Sequence, residues 1–228
     1  MLKTIFFDLD DTLLDFSRAE AEALSRALRT FGIDPASAVL ERYHVINREQ
    51  WELLEEGVLT RPQVLTRRFD LLFEELGVHR SSREVCDCYE SFLAEGHWFI
   101  PGAQTLLAKL APRYDLYLAS NGAAAVQRSR LKSAGIGPCF KHIFISEELG
   151  ADKPSPDFFA AAFAAIPGFD PASAIMVGDS LTSDIRGGRD AGIRTCWFNP
   201  HDKPARPDIT PDHTIRTLEE LPDLLDTL

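Results

Sequence analysis

The sequence has 228 residues, with 24 Lys and Arg against 35 Asp and Glu, and a formal net charge of −11. This acidic balance disfavours binding to a nucleic-acid backbone, which requires a basic surface, but it permits a small anionic substrate where cationic side chains gather locally. No apolar stretch approaches the roughly 20 residues that cross a bilayer, and the N-terminus leads into a predicted strand without a signal peptide, so we expect a cytoplasmic protein without a nucleic-acid or membrane partner.

The first predicted element is a short buried strand that ends in a group of acidic residues. Ile5 to Leu9 is rich in branched and aromatic residues, which is typical of a parallel strand buried on both faces. Asp8, Asp10 and Asp11 lie at its end. Neighbouring carboxylates repel one another, and open α/β sheets bind ligands at the carboxyl ends of their strands. This end is therefore a candidate site for a divalent cation or a phosphoryl group, with a solvated acidic turn as the simpler alternative.

The region that follows shows only helical patterns. Asp34-Pro35 is predicted to cap and begin one helix. Thr60 and Gln63 form a predicted capping box for another helix, and Ser81 with Glu84 repeats that pattern for a third. Since no alternating strand pattern interrupts these helices, this part of the chain is predicted to be entirely helical.

From about Pro101 onwards, apolar strands alternate with amphipathic helices, which predicts a parallel sheet covered on both faces. The predicted strands lie at 116–119, 143–145, 175–177, 195–198 and 213–215. A βαβ unit takes about 30 residues, so the much longer interval before the second strand indicates an inserted domain. We predict an α/β fold in which a Rossmann-like, doubly wound parallel sheet core (1–14 and 98–228) carries an inserted all-helical cap (15–97).

Polar residues follow four of the predicted strands, and in a parallel sheet they gather at one edge. Each one alone has an ordinary explanation: Asn121 before Gly122 suits a turn, Lys153 suits the surface, and Asp179 suits a helix cap. Their shared position at strand ends makes a common site the better interpretation. The candidate residues are Asp8 and Asp10, Ser120 and Asn121, Lys153, and Asp179 and Asp184.

These four groups resemble the four motifs of the haloacid dehalogenase superfamily of phosphohydrolases, and the resemblance covers essentially the whole chain. It implies magnesium dependence and an aspartyl-phosphate intermediate. It also implies that Mg²⁺ is held by the carboxylates of Asp8 and Asp179 and by the backbone carbonyl of Asp10. Asp184 would lie behind these ligands and orient Lys153 or a water molecule. Asp11 stands where many family members carry glycine, a departure that affects the loop more than the reacting groups.

The roles implied by the resemblance agree with the chemistry of phosphate esters. Asp8 is the expected nucleophile, because a carboxylate can attack phosphorus and form a hydrolysable acyl phosphate. Asp10 is the expected acid and base, which requires a raised pKa. Ser120 and the backbone amide of Asn121 suit the phosphate oxygens, and Lys153 neutralises charge on Asp8 and the phosphoryl group.

Three residues of the predicted cap, Asn47, Trp51 and Arg68, are candidate substrate contacts. Together with Ile145 to Glu148 and Thr195 to Asn199, these residues resemble the sequence pattern of the bacterial house-cleaning pyrimidine nucleotidases. Those enzymes act on non-standard pyrimidine nucleoside monophosphates. In that interpretation Trp51 stacks on a base and Asn47 binds its edge. The alternative is that Trp51 packs inside the helix bundle and Arg68 is solvated.

We therefore expect a nucleoside 5′-monophosphatase that prefers pyrimidines, with a small phosphate ester as its partner, acting as a monomer or homodimer. Capped relatives that act on phosphoglycolate, sugar phosphates or acylneuraminate 9-phosphate have the same core motifs and stay open as alternatives. A haloacid dehalogenase needs no acid at the position of Asp10, and a phosphoglucomutase must shield its aspartyl phosphate from water. A signalling receiver domain is about half this length and has no inserted cap.

Overall fold

The computed structural model describes residues 2–228, which divide into two compact units. One unit comprises residues 2–15 and 99–228, and the other is Phe16–Trp98. The second unit is thus a continuous insertion in the first, and each predicted domain boundary lies one residue before the observed division. Among residues 2–228, no helix combines the length and the apolar character that crossing a membrane requires.

The inserted unit, described throughout its length, consists of helices. These are α1 (Phe16–Thr30), α2 (Ser37–Glu55), α3 (Arg61–Leu76) and α4 (Ser82–Leu93). The predicted capping box begins α3, where the Gln63 side chain accepts a hydrogen bond from the backbone N–H of Thr60 at 2.8 Å. The Ser81 hydroxyl caps α4 by accepting from the backbone N–H of Glu84 at 3.3 Å. Local polar side chains therefore fix where both helices begin.

The predicted start of α2 at Asp34-Pro35 is wrong. The helix begins at Ser37, because the first helical hydrogen bonds, from the amides of Val39 and Leu40, are accepted by the carbonyl of Ala36. Residues 34–36 instead form part of the connection between α1 and α2.

The strands form one parallel sheet within residues 2–228. They are β1 (Thr4–Phe7), β2 (Asp115–Ser120), β3 (His142–Ile145), β4 (Ala174–Gly178), β5 (Arg194–Phe198) and β6 (His213–Ile215). Their order is β3-β2-β1-β4-β5-β6, and Phe7 at the end of β1 pairs with Leu118 of β2 and Val177 of β4. This confirms the predicted doubly wound, Rossmann-like fold. The strand order reverses between β1 and β4, which is where open α/β sheets bind their ligands.

The sheet is buried on both faces, because consecutive residues of its central strands are apolar. Ile5 and Phe7 of β1 pack in one core cluster, whereas Phe6 packs in a second cluster. Leu118 and Ala119 of β2 divide between the two clusters in the same way. Since successive side chains of a strand point to opposite faces, the two clusters lie on opposite sides of the sheet. A sheet packed in this way holds the ends of its strands in fixed positions.

Helices and short turns connect the strands of this unit. They are α5 (Ala103–Leu110), α6 (Ala124–Ala134), α7 (Ser146–Leu149), α8 (Pro156–Ala164), α9 (Arg186–Asp190) and α10 (Leu221–Leu225). A turn of π-helix at Leu181–Ile185 leads from β4 into α9. Such turns are frequent at functional sites, and this one contains the candidate residue Asp184.

Candidate active site

Lys153 lies at the centre of the candidate site and contacts three neighbouring groups. Its Nζ atom lies 2.8 Å from Oδ1 of Asp8 and 2.7 Å from Oδ1 of Asp184, and it donates to the carbonyl of Ala119 at 2.6 Å. These bonds account for the three N–H donors of the ammonium group. The side chain is only 1% exposed. Lys153 therefore joins the carboxyl ends of β1 and β2 to the π-helical turn after β4.

The side chain of Asn121 holds the backbone of Lys153. Its Nδ2 donates to the Lys153 carbonyl at 2.8 Å, and its Oδ1 accepts from the Lys153 amide at 2.8 Å. This paired contact fixes the loop before α8 against the end of β2. The predicted phosphate contact of Asn121 is made by its backbone amide, so it is compatible with this use of the side chain and stays a prediction.

Three carboxylates gather beside Lys153. One oxygen from each of Asp8, Asp179 and Asp184 lies within 4.8 Å of the others. Asp184 is fully buried, and its Oδ2 accepts from the backbone N–H of Ser180 at 3.1 Å. Gly178, which ends β4, leaves room for this carboxylate, because a Cβ there would come within 2.2 Å of Asp184 Oδ2. A larger residue at 178 would push Asp184 out of the cluster.

Asp179 is held by residues from three other parts of the unit. Its backbone N–H donates to the hydroxyl of Thr12 at 3.1 Å, and its carbonyl accepts from the indole of Trp197 at 2.9 Å. Its Oδ2 forms an ion pair with Nζ of Lys203 at 2.9 Å. Lys203 is half exposed and lies in the proline-rich loop after β5. Sequence reasoning missed this lysine, because loop sequences do not indicate where their side chains lie.

Burial raises the pKa of all three carboxylic acids. For Asp8 and Asp184, loss of solvation outweighs the opposing effect of the Lys153 ammonium on the pKa. For Asp179, burial outweighs Lys203 and raises the pKa to about 7. Burial by itself would lower the pKa of Lys153, but the carboxylates of Asp184 and Asp8 raise it above its usual value. The cluster therefore has an excess of buried negative charge, which a further cation would stabilise.

Asp10 contacts residues of α6 that the sequence analysis did not identify. Its Oδ1 accepts from the guanidinium of Arg130, and its Oδ2 accepts from Nε2 of Gln127 at 2.6 Å. The same Nε2 donates to the hydroxyl of Ser120 at 2.7 Å. Gln127 and Arg130 lie three residues apart, so they share one face of α6. The one signal for them in the sequence is that two polar residues fall on the same face of a helix, and in the structure this face is buried.

The three candidate residues of the inserted unit lie together within that unit. The Oδ1 atom of Asn47 accepts from Nε1 of Trp51 at 3.1 Å and from Nη1 of Arg68 at 3.0 Å, and its Nδ2 donates to Glu20 at 2.6 Å. Asn47 and Arg68 are buried, and Trp51 is partly buried. The arrangement makes Asn47 a connection between three helices of this unit, while contact with a base stays a prediction.

Comparison with known proteins agrees with this geometry. A family model described as haloacid dehalogenase-like hydrolase matches residues 2–192. The chain is 42% identical to HAD-hydrolase YfnB from Bacillus subtilis, over 98% of this chain and 95% of YfnB. A crystal structure of YfnB bound to magnesium has a TM-score of 0.95 to this structure at 41% identity and covers 99% of both chains.

Two further relatives have names that state an activity. Pyrimidine 5′-nucleotidase PynA from Streptococcus pneumoniae is 37% identical over 98% of this chain and 95% of its own. Pyrimidine 5′-nucleotidase YjjG from Escherichia coli is 32% identical over 97% of this chain and 96% of its own. These similarities span nearly the full length of each protein. They agree with the parallel sheet and with the four groups of polar residues at its edge. The chain belongs to the haloacid dehalogenase-like hydrolase family.

Proposed function

We propose that this chain is a magnesium-dependent phosphatase that cleaves phosphate monoesters through an aspartyl phosphate on Asp8. The observation that carries the proposal is the contact of Lys153 with both Asp8 and Asp184 at the point where the strand order reverses. A buried carboxylate beside a fixed ammonium group is suited to attack an anionic phosphorus centre, because the ammonium offsets the repulsion between nucleophile and substrate.

The reaction follows from the positions of two carboxylates. A carboxylate oxygen of Asp8 attacks phosphorus, and the bond from phosphorus to the ester oxygen breaks while Asp10 gives that oxygen a proton. A water molecule then gives a proton to Asp10 and attacks the phosphorus, which breaks the bond to Asp8 and releases inorganic phosphate. Lys153 neutralises charge throughout, and Ser120 and the amide of Asn121 bind the phosphate oxygens.

The acidic cluster fits a magnesium ion. Its donors are hard carboxylate oxygens from Asp8, Asp179 and Asp184, close enough together for one cation to contact them. Because Asp184 already accepts from Lys153 and Ser180, we assign the ion to Asp8, Asp179 and the carbonyl of Asp10, with Asp184 orienting the others. When bound, the ion would neutralise negative charge on the phosphoryl group of the substrate. The magnesium-bound crystal structure of the relative YfnB supports magnesium as the ion.

The proposed substrates are pyrimidine nucleoside 5′-monophosphates. This is supported by the two relatives named pyrimidine 5′-nucleotidase. In the inserted unit, Trp51 offers a partly buried ring for stacking on a base, with its indole N–H bonded to Asn47. Asn47 and Arg68 then support that ring, and Asn47 is the candidate for contact with the base edge. We further propose a cytoplasmic location and a monomeric or homodimeric state.

The proposal is tested by phosphate release from a panel of monophosphates, with magnesium or with a chelator. The panel holds dUMP, dTMP, UMP, 5-halogenated dUMP, AMP, phosphoglycolate and sugar phosphates. We expect release that requires magnesium and is fastest with the pyrimidine nucleotides. Release led by phosphoglycolate or a sugar phosphate would keep the catalytic assignment and overturn the nucleotide preference, and no metal-dependent release would overturn both.

A further inference from the structure

Asp10, Gln127 and Arg130 form a closed set of hydrogen bonds at the edge of the candidate site. The two oxygens of Asp10 accept separately, one from Arg130 and the other from Gln127 at 2.6 Å. The ring closes where Nη1 of Arg130 donates to Oε1 of Gln127 at 3.0 Å. The orientation of the Asp10 carboxylate is therefore set at both of its oxygens.

The two partners of Asp10 are held far more rigidly than a surface contact would be. Arg130 is fully buried and Gln127 is 1% exposed, whereas the Asp10 side chain is 27% exposed. Gln127 is also confined by Gly122, since a Cβ at that position would come within 2.3 Å of its Nε2 atom. The partly exposed carboxylate of Asp10 is thus held in place by two buried side chains on one face of α6.

Gln127 also links the proposed acid to the proposed phosphate contact. Its Nε2 atom carries two hydrogens, and it donates to Asp10 and to the hydroxyl of Ser120 at 2.7 Å. The buried hydroxyl of Ser120 accepts as well from the backbone N–H of Gly122 at 3.2 Å. One side chain therefore sets the spacing between the group that transfers the proton and the group that binds phosphate.

We infer that Gln127 and Arg130 are positioning residues that fix the Asp10 carboxylate for proton transfer to the ester oxygen. This inference rests on the proposed function. Transfer of a proton requires donor and acceptor within hydrogen-bond distance, and a displacement of about 1 Å can lower a rate about a hundredfold. The requirement applies to an alkoxide leaving group, such as the 5′ oxygen of a nucleoside, but not to a leaving group that is stable as an anion.

The test compares two substrates that differ in their need for an acid. One is dUMP, and the other is 2,4-dinitrophenyl phosphate, whose phenolate leaves without protonation. The variants are Arg130→Lys and Gln127→Met, which keep the approximate size of each side chain. Arg128→Met is the matched control, because Arg128 lies on the same helix and forms a surface ion pair with Glu148 at 2.7 Å.

We expect both variants to lower the first-turnover rate of deoxyuridine release from dUMP about a hundredfold and to change the first-turnover rate of dinitrophenolate release less than about threefold. The first turnover is measured because the later attack of water uses Asp10 as the base for both substrates. The control should change neither rate by more than about twofold. Inhibition by inorganic phosphate should stay within about threefold of the original protein, because Ser120 keeps its hydrogen bond from the backbone N–H of Gly122. A selective loss with dUMP is a result that general damage to the fold would not produce.

An equal loss with both substrates, or no loss with either, in a variant that unfolds at the temperature of the original protein would overturn the inference. If Arg130→Lys does not fold, Gln127→Met decides alone, since it removes no charge. Hydrolysis of neither substrate by the original protein would instead overturn the proposed function, and this inference with it. The activity of the unmodified protein therefore distinguishes failure of the proposed function from failure of this inference.

Discussion

Lys153 is a buried lysine that stays charged because two carboxylates face it. Burial disfavours the ammonium form, whereas Asp184 and Asp8 favour it and together raise the pKa of the side chain. The arrangement also allows a neutral residue to replace Asp8 without leaving the Lys153 ammonium group unpaired. Since Asp184 contacts the same nitrogen at 2.7 Å, Lys153 keeps an anionic partner when Asp8 is changed to a neutral residue, and no buried charge is left alone.

Asp8→Asn should therefore abolish hydrolysis without unfolding the protein. We expect kcat to fall at least about a thousandfold, because an amide is a poor nucleophile towards phosphorus. Burial raises the pKa of Asp8, so removing its charge should not lower the unfolding temperature. Phosphate release and thermal unfolding measure the two effects. Asp11→Asn is the matched control, because Asn tolerates the left-handed backbone that Asp11 adopts at φ 55°. Near-normal turnover by Asp8→Asn would falsify the assignment.

Lys203 and a metal ion would compete for the same carboxylate. Lys203 contacts Asp179 at 2.9 Å from an exposed loop. We expect Lys203→Met to tighten magnesium binding roughly two- to fivefold, the range for a partly exposed ion pair. Binding is measured by calorimetry without substrate at about pH 9, where Asp179 has lost its proton in both proteins. At lower pH the original protein should bind magnesium less well, because Asp179, with a pKa of about 7, is protonated as the pH falls through that value.

Lys141→Met is the matched control for this change. Lys141 belongs to the same unit and forms an exposed pair with Asp115 at 3.8 Å, so its replacement removes one positive charge without touching the acidic cluster. Equal magnesium affinity in Lys203→Met, Lys141→Met and the original protein would show that the Lys203 contact does not oppose the metal.

Among the secondary-structure elements, those with a local signal were predictable from the sequence. The capping box of Thr60 and Gln63 and the cap of Ser81 begin their helices as predicted, because each depends on residues within one turn. The start of α2 was not predictable from Asp34-Pro35 alone. The same limit applies to β1, which ends at Phe7 rather than at the predicted Leu9, because the backbone of Leu9 accepts hydrogen bonds from the turn that follows.

The candidate site shows the same division between local and distant information. The groups at the strand ends follow from the order of strands along the sequence, so the sequence predicted that Asp8, Lys153 and Asp184 would lie together, as they do. The partners of Asp10 were not, because Gln127 and Arg130 lie 117 and 120 residues away in sequence. Their contact depends on how α6 is rotated about its axis, which a helical pattern with few apolar residues does not define.

Trp51→Ala tests the proposed role of the inserted helices in choosing the substrate. If Trp51 stacks on a base, its loss should lower kcat/KM for dUMP about ten- to a hundredfold, since a stacked base contributes about 1–3 kcal/mol. The rate with phosphoglycolate, which has no aromatic ring, should change little. Trp98→Ala is the matched control, because Trp98 belongs to the same unit and packs under Arg18 at 4.5 Å. An equal effect of Trp51→Ala on both substrates would count against stacking.

At the scale of the whole molecule, the chain leaves and re-enters the sheet unit at nearly the same point. Leu14, just before the insertion, pairs with Phe99, just after it, in an antiparallel bridge. The backbone N–H of Ile100 donates to the carbonyl of Leu13 at 3.0 Å. The 16–98 segment is thus an insertion whose two ends are already joined within the unit that holds the candidate site.

This connection predicts that the sheet unit folds without the insertion. We expect a chain in which residues 16–98 are replaced by a short Gly-Ser linker to fold cooperatively, because Leu14 and Phe99 are close enough for such a linker and closing a short loop has a small entropic cost.

Lys153 and the three carboxylates come entirely from the sheet unit, so magnesium should still raise the unfolding temperature of the linker chain. Its kcat/KM for dUMP should fall towards its kcat/KM for phosphoglycolate, since the proposed base contacts are lost. The same linker chain carrying Asp179→Asn is the control and should lose the response to magnesium. A linker chain that folds but retains full preference for dUMP would place substrate choice in the sheet unit and contradict the roles proposed for Asn47, Trp51 and Arg68.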